Sequence, residues 1–395
     1  MIVRELKLKL NRSQERQLYE WLPVLTAIYN WAIRKLEQDA KDSIYYSRIE
    51  FQNLLSNHGK RIDVASHVIQ GILYQAWIAW KRYRKGVSNK PRLKSVRNKL
   101  NSIPFPDPIP ESNIKNNRIR LWGIGNLKYH KQELPKGKIK TSRIVRRASG
   151  WYVQLTIDAK HLFLVKDTQE AIGIDTGFKH LAVLSNGIKY ENQKNYLKSQ
   201  ERLGQAQRGH DRKLIGRLNE RISNKRRDYN HKVSKEIIHN YRTIYITNDS
   251  LAGQAAMFGK AVNDAGIVQL RRFILYKGNN HGRNVILVES NYTTMTCSVC
   301  GARSGPTGLS KLAVRSWECG CGAVHDRDVN AAMNILNFGA GVALVSDRRI
   351  NSISDSNRKS HGVSSREAQW FLKDSAVMTM TQFNTVENID VEAVV

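Results

Sequence analysis

Cysteine is nearly absent from this chain: four of 395 residues, all between positions 297 and 321. One metal-like cluster accounts for all four, which leaves nothing for a disulfide framework and fits a reducing cytoplasm. Long apolar runs are missing too. No stretch approaches the roughly 18 to 20 apolar residues that span a bilayer, and Met1-Ile-Val-Arg-Glu5 lacks the apolar core of a secretory signal, so no membrane partner is expected. Acidic residues are the third shortage: 34 Asp and Glu stand against 64 Lys and Arg, a net charge of +30. A soluble enzyme of small molecules has little reason to carry that imbalance, whereas a polyanionic partner accounts for it. The length suits about two to four modules.

Along the chain, Val3, Leu6, Leu8 and Leu10 alternate with charged residues as in a strand, and Asn11-Arg-Ser-Gln-Glu15 resembles a helix start. Helical spacing continues to Leu36 and returns over about 64 to 86. That second stretch ends in a basic run: Lys81, Arg82, Arg84, Lys85, Lys90, Arg92, Lys94, Arg97 and Lys99, interleaved with Trp80 and Tyr83. From about 100 to 160 short β-type runs between Pro and Gly predict a small barrel or sandwich. Ala171–Asp175 and Leu181–Leu184 read as strand, tight turn, strand. A long basic helix is expected over about 193 to 240, then a buried strand at Thr243–Ile246, a helix near 264 to 280 and a strand at Asn284–Val288, an α/β unit. The segment after 340 is weakly patterned and reads as a peripheral, partly disordered tail.

Chemistry concentrates in the carboxyl half. Cys297-Ser-Val-Cys300, an eighteen-residue spacer and Cys319-Gly-Cys321 suit a closed tetrahedral zinc site, in which the ion folds a knuckle and does no chemistry. Lys311, Arg315 and Trp317 around it face either nucleic acid or solvent. Asp175 ends an apolar strand before Thr176-Gly177, the sheet edge where two-metal nucleases of the RNase H type place a first ligand. Taken alone, such an aspartate is more often a turn residue. Asp328 heads an amphipathic helix (Asn330, Ala331, Ala332, Ile335, Leu336), a position that the helix dipole also favours for a plain structural carboxylate.

Three strings, Gly173-Ile-Asp175-Thr-Gly177-Phe-Lys, Tyr292-Thr-Thr-Met-Thr-Cys297-Ser-Val-Cys300-Gly301 and His325-Asp-Arg-Asp328-Val-Asn-Ala-Ala-Met-Asn-Ile-Leu336, together resemble the TnpB family, transposon-associated RNA-guided nucleases related to miniature type V CRISPR effectors. Weaker likeness at Asn30-Trp31, Lys90-Pro-Arg-Leu-Lys94, Arg226-Arg-Asp-Tyr-Asn-His231 and Leu275-Tyr-Lys277 extends it over about residues 1 to 340. The resemblance implies a multidomain α+β and α/β protein. Its parts would be a wedge-type β-barrel (1–10 and 96–165), an inserted helical recognition lobe (11–95), an RNase H-like (RuvC) α/β domain (166–295 and 323–340), a four-Cys zinc ribbon (296–322) and a C-terminal tail (341–395). It also implies a guide RNA, a double-stranded DNA target read by base pairing beside a short motif, and a prokaryotic cytoplasmic location, on the nucleoid when DNA-bound. Monomer and dimer are both compatible.

One departure stands out. The family's RuvC-like site holds two magnesium ions with Asp, Glu and Asp, and the glutamate ends the central strand. Here that strand reads Thr243-Ile-Tyr-Ile-Thr247-Asn248-Asp249, with Thr247 at the glutamate position and Asn248 there after a one-residue slip. Magnesium wants anionic oxygen, so either residue weakens the site. Losing a metal carboxylate removes several kcal/mol of transition-state stabilisation, tenfold in rate per ~1.4 kcal/mol. Asp249 and Glu289 are the possible substitutes, although Ser290 is the ungapped match to a rearranged glutamate. The expectation is therefore a nuclease-dead, RNA-guided DNA binder that represses transcription by occupying its target. The alternatives are an active RNA-guided endonuclease using Asp249 or Glu289 with magnesium, and an RNA-independent DNA-binding transposon accessory protein. Phosphate contacts are assigned to Lys81, Arg82, Arg84, Lys85, Lys90, Arg92 and Lys94 of the first run and to Arg202, Arg208, Arg212, Lys213, Arg217, Arg221, Lys225, Arg226 and Arg227. Trp80, Tyr83 and Trp122 read as core packing rather than base stacking.

Overall fold

Strand β1 (Ile2–Lys9) gives way to α1 (Arg12–Lys41) at Asn11, whose side chain accepts from the Gln14 backbone N–H at 2.8 Å while the Gln14 side chain reaches back to the Asn11 N–H at 3.3 Å. This reciprocal cap satisfies two orphan donors and fixes the helix start. Leu18, Trp21, Leu25, Ile28, Ala32, Ile33 and Leu36 then recur every three to four residues and are all buried. The computed structural model describes residues 1–56, 63–95, 100–159, 164–248, 264–307, 311 and 313–341. Asp249, Arg97 and Lys99 lie outside these, as does the tail beyond 341.

The chain packs as two units, whose described parts run up to residue 159 and from residue 164. In the first, α1 is followed by α2 (Arg48–Asn53), a short turn of helix not expected from the sequence, and α3 (Ser66–Arg84). Then come β2 (Ser102–Phe105), β3 (Ile114–Lys115), β4 (Arg118–Leu121), β5 (Gly125–Tyr129), β6 (Lys138–Arg147) and β7 (Gly150–Asp158). These strands form an antiparallel sheet in the order β2-β6-β7-β1-β5-β4-β3. Closing the expected barrel would require β2 to pair with β3; among the described residues they are the two edges. Helices and sheet share one buried cluster, running from Leu6 and Leu18 through Ile72 to Ile103 and Leu155.

The second unit has β8 (Ala171–Asp175), β9 (His180–Leu184), β10 (Lys189–Glu191), β11 (Thr243–Thr247) and β12 (Asn284–Val288) in the order β10-β9-β8-β11-β12. The β10-β9-β8 side is antiparallel and the β8-β11-β12 side parallel. The expected single basic helix is two helices, α4 (Gln200–Arg208) and α5 (Arg212–Asn240). The break has a local cause: His210 adopts φ +51° after Gly209, and Asp211 caps α5 by accepting from the Leu214 N–H at 2.9 Å. Helix α6 (Ile267–Asn280) packs on α5. A small hairpin of β13 (Ser316–Glu318) and β14 (Val324–Asp326) leads into α7 (Arg327–Gly339). That last helix lies on β8, where a Cβ at Gly173 would sit 2.1 Å from the Ala332 carbonyl oxygen. Only glycine allows so close an approach.

Candidate functional site

The CxxC and CxC segments bring their sulfurs together. All four Sγ atoms lie within 4.8 Å of one another, with Cys297–Cys321 at 3.8 Å and Cys300–Cys319 at 3.6 Å. Four sulfurs ~2.3 Å from a tetrahedral zinc would be ~3.8 Å apart, so the donor set fits the ion. Backbone turns make this possible: Gly301 N–H donates to the Cys297 carbonyl and Gly322 N–H to that of Cys319. The Cys321 backbone N–H, with help from the Ser304 hydroxyl 3.1 Å away, pulls the Cys319 thiol down to about 6. At Cys300 the Ala302 N–H pulls downward, but burial and the three neighbouring thiols outweigh it and push the group up to about 12. That polarity suits a cluster whose thiols share charge, and a cation removes the conflict.

Three side chains around the knuckle were not singled out from the sequence. His325 places Nε2 3.0 Å from the Cys297 sulfur, and burial lowers its pKa, so the neutral ring can donate to a thiolate there. The Trp317 ring packs over it at 4.6 Å. Asn330 and Asn334, on successive turns of α7, are 1% and 0% exposed. Both amides donate to the carbonyls of Thr293 and Thr296, while Asn330 also accepts from the Ser298 N–H inside the CxxC loop. The signal in the sequence was the asparagine pair four apart on a helix face otherwise made of Ala and Ile.

The acidic positions behave differently. β8 and β11 run parallel with Ile174 opposite Ile246, which sets Asp175 and Thr247 at the same sheet edge. Thr247 is fully buried, and its hydroxyl is 2.8 Å from that of Thr176. Asn248 continues the ladder to Val288 but is exposed. Glu289 is exposed just past β12, with Asn291 3.5 Å away. Asp328 sits 3.5 Å from the Arg315 guanidinium, and neighbouring Asp326 caps α7 while pairing with Lys189 at 2.6 Å. Burial raises the Asp326 pKa, but Lys189 and the Val329 N–H outweigh it and hold the carboxyl low. Among the described residues the cysteine set is the one group of three or more Cys, His, Asp or Glu that could hold a single metal ion.

The basic residues divide by exposure. Lys213, Arg217, Arg221 and Lys225 recur every four residues along α5 and are all exposed, a stripe about 18 Å long at 1.5 Å per residue. Arg208 and Arg212 flank it, also exposed. Arg226 is half-buried against Gly266, and half-buried Arg227 bonds Asn224, so these two are not simple solvent-facing cations. In the first unit Lys81, Arg84, Lys85 and Arg92 are exposed and Arg82 half-buried, Lys90 pairs with Glu37, and Lys94 lies 5.5 Å over the Tyr29 ring. Trp80 packs in the core as expected, Tyr83 is 37% exposed, and Trp122, expected in the core, is 73% exposed at the turn between β4 and β5.

The fold and the metal-type centre define a class: a mixed α/β protein carrying a four-cysteine knuckle just ahead of the helix that closes its sheet. Two family models match within that unit, one described as "Probable transposase" over residues 164–252 and one as "Cas12f1-like, TNB domain" over residues 268–335. A Streptomyces pristinaespiralis protein named "Putative RNA-guided DNA endonuclease" is 33% identical over 231 residues, 54% of this chain and 56% of its own length. A protein of the same description, InsQ of Escherichia coli K12, is 28% identical over 309 residues, 71% of this chain and 76% of its own. The protein in a cryo-EM structure of a Cas12f1-sgRNA-target DNA complex is 18% identical, with 85% of this chain and 99% of that one covered at a TM-score of 0.33. These likenesses support the resemblance of the chain to the TnpB family. No helix of its described residues is long and apolar enough to cross a membrane.

Proposed function

We propose that this protein binds DNA under the direction of a guide RNA, and that its RuvC-like site is too degraded to cut, so that it acts by occupying its target as a transcriptional repressor. The observation that carries this reading is Thr247. At the strand end where the family resemblance calls for glutamate, the side chain is a buried hydroxyl engaged by Thr176. A neutral hydroxyl supplies neither the charge nor the bidentate reach that a magnesium pair needs. The flanking carboxylate of Asp328 is matched by Arg315 instead. A site that keeps Asp175 and Asp328 but has a hydroxyl at position 247 is short of the anionic oxygens that two magnesium ions demand.

Zinc belongs to the reading as a structural ion held by Cys297, Cys300, Cys319 and Cys321. Its contribution is to fold the knuckle that Asn330 and Asn334 tie to α7. The α5 stripe supplies sequence-independent phosphate contacts, as expected where base pairing rather than side chains reads the target. The test is direct: the ribonucleoprotein, matched plasmid and magnesium are incubated together. The expected outcome is a retained complex with intact DNA; linearised plasmid would overturn the nuclease-dead reading, and sequence-specific binding that survives RNase would overturn the guide.

A further inference from the structure

The first unit carries a cleft of about 440 Å³ beside the last turns of α3, in the size range of small-ligand sites, roughly 300–1,000 Å³. Its walls include Tyr45, Tyr46 and Trp77, and its rim carries Lys81, Arg84 and Lys85, with no carboxylate among the lining residues. The aromatic surface is accessible: Tyr45 is 55% exposed and neighbouring Ile44 49%. Cations already lie on the rings. The Arg84 guanidinium carbon is 3.9 Å from the Tyr45 ring centroid, and the Lys81 ammonium is 4.8 Å from that of Trp77. The floor is held rigidly, because Trp77 Nε1 donates to the Tyr46 carbonyl at 3.0 Å. The Tyr46 hydroxyl in turn donates at 2.6 Å to Asp39, a buried carboxylate that also holds Lys35.

A flat π surface that attracts a planar cation, ringed by three positive charges with no acid between them, selects a ligand that is planar and anionic. We propose that this cleft receives one unpaired nucleotide of a single-stranded polynucleotide. The base stacks on Tyr45 where the Arg84 guanidinium now lies, and Arg84, Lys81 and Lys85 turn to its phosphates. A duplex offers no free base face to such a shelf, so the occupant is single-stranded. The proposal rests on the nucleic-acid reading above and adds a stacking site to it.

The test is fluorescence anisotropy of the full-length chain with labelled 12-mer single strands of one sequence, in DNA and RNA arms, across a salt series. Y45A is expected to weaken at least one arm by about 5- to 150-fold, the range spanned by stacking of one base, without altering the salt slope. Y45F is expected to restore affinity. R84Q should instead lower the slope of log K against log salt by about 0.7. Because Tyr45 is exposed, an unchanged melting temperature for Y45A checks that the fold survives. Equal affinity of Y45A and parent in both arms overturns the cleft while leaving the general nucleic-acid reading intact. A change of sedimentation state without a change in affinity assigns the cleft to a second copy and overturns it too. Failure of the parent to bind either strand would overturn the broader reading as well.

Discussion

Replacing Gly173 by alanine tests how the sheet and α7 are joined. The added Cβ would stand 2.1 Å from the Ala332 carbonyl oxygen, 2.7 Å from the Leu336 nitrogen and 2.9 Å from the Leu336 Cβ. Ordinary carbon contacts lie at about 3.5–4.0 Å, so the helix must lift by more than about 1 Å. Two of the three obstacles are backbone atoms and cannot rotate away. Lifting α7 also loosens Ala331, Ala332 and Ile335, all fully buried. Overpacking of this kind costs about 1–3 kcal/mol and occasionally more. Taking ~3 kcal/mol, calorimetry should show the transition of the second unit falling by roughly 6–12 °C. Gly204 provides the opposite case. It lies inside α4 with ordinary helical backbone, where an added Cβ would meet only the Arg208 side chain at an ordinary 3.5 Å, so G204A should raise stability by about 0.5–1 kcal/mol through helix propensity. A G173A protein melting within about 1 °C of the parent would refute the packing argument.

C297S should abolish stoichiometric zinc in elemental analysis of the purified protein, because three sulfurs leave the tetrahedron open; one zinc per chain retained in that variant would be the contrary result. Lys277 gives a pH prediction. Burial, helped by Lys235, lowers its pKa to about 8, and its ammonium donates to the His231 carbonyl and the Ser234 hydroxyl, both neutral. A lysine depressed in the folded state binds fewer protons there than in the unfolded chain between its two pKa values, so stability rises from about pH 8 towards 10.5, by up to about 3 kcal/mol. K277M should flatten that rise in urea midpoints, and an unchanged slope would count against it. T247E places an acid at the strand end. It should lower the melting temperature in chelator and recover part of it with millimolar magnesium, whereas a magnesium response equal to the parent's would show that the carboxylate does not reach a metal.

Much of the architecture was legible because it is local. The cap at Asn11, the apolar spacing of α1 and α3 and the strands at Ala171, Thr243 and Asn284 each depend on neighbours a few residues away. The break between α4 and α5 was also local, but its signals, Gly209 and the capping Asp211, were masked by an unbroken run of positive charge. Trp122 was misplaced because a bulky aromatic favours burial on average, while its position on a two-strand turn leaves it in water.

The order of residues was enough for the cysteine spacing, the surplus of positive charge and the threonine that ends the strand Thr243–Thr247, since each is a count or a position along one strand. Which groups meet was decided in three dimensions. Parallel pairing of β8 with β11 set Thr247 beside the Asp175 edge, and the turn from the knuckle into α7 brought Arg315 to Asp328. Packing of helix on strand made Gly173 indispensable, and two buried asparagines tied the cysteine knuckle to α7. Such contacts join residues from about a dozen to more than a hundred positions apart, and no local propensity encodes them.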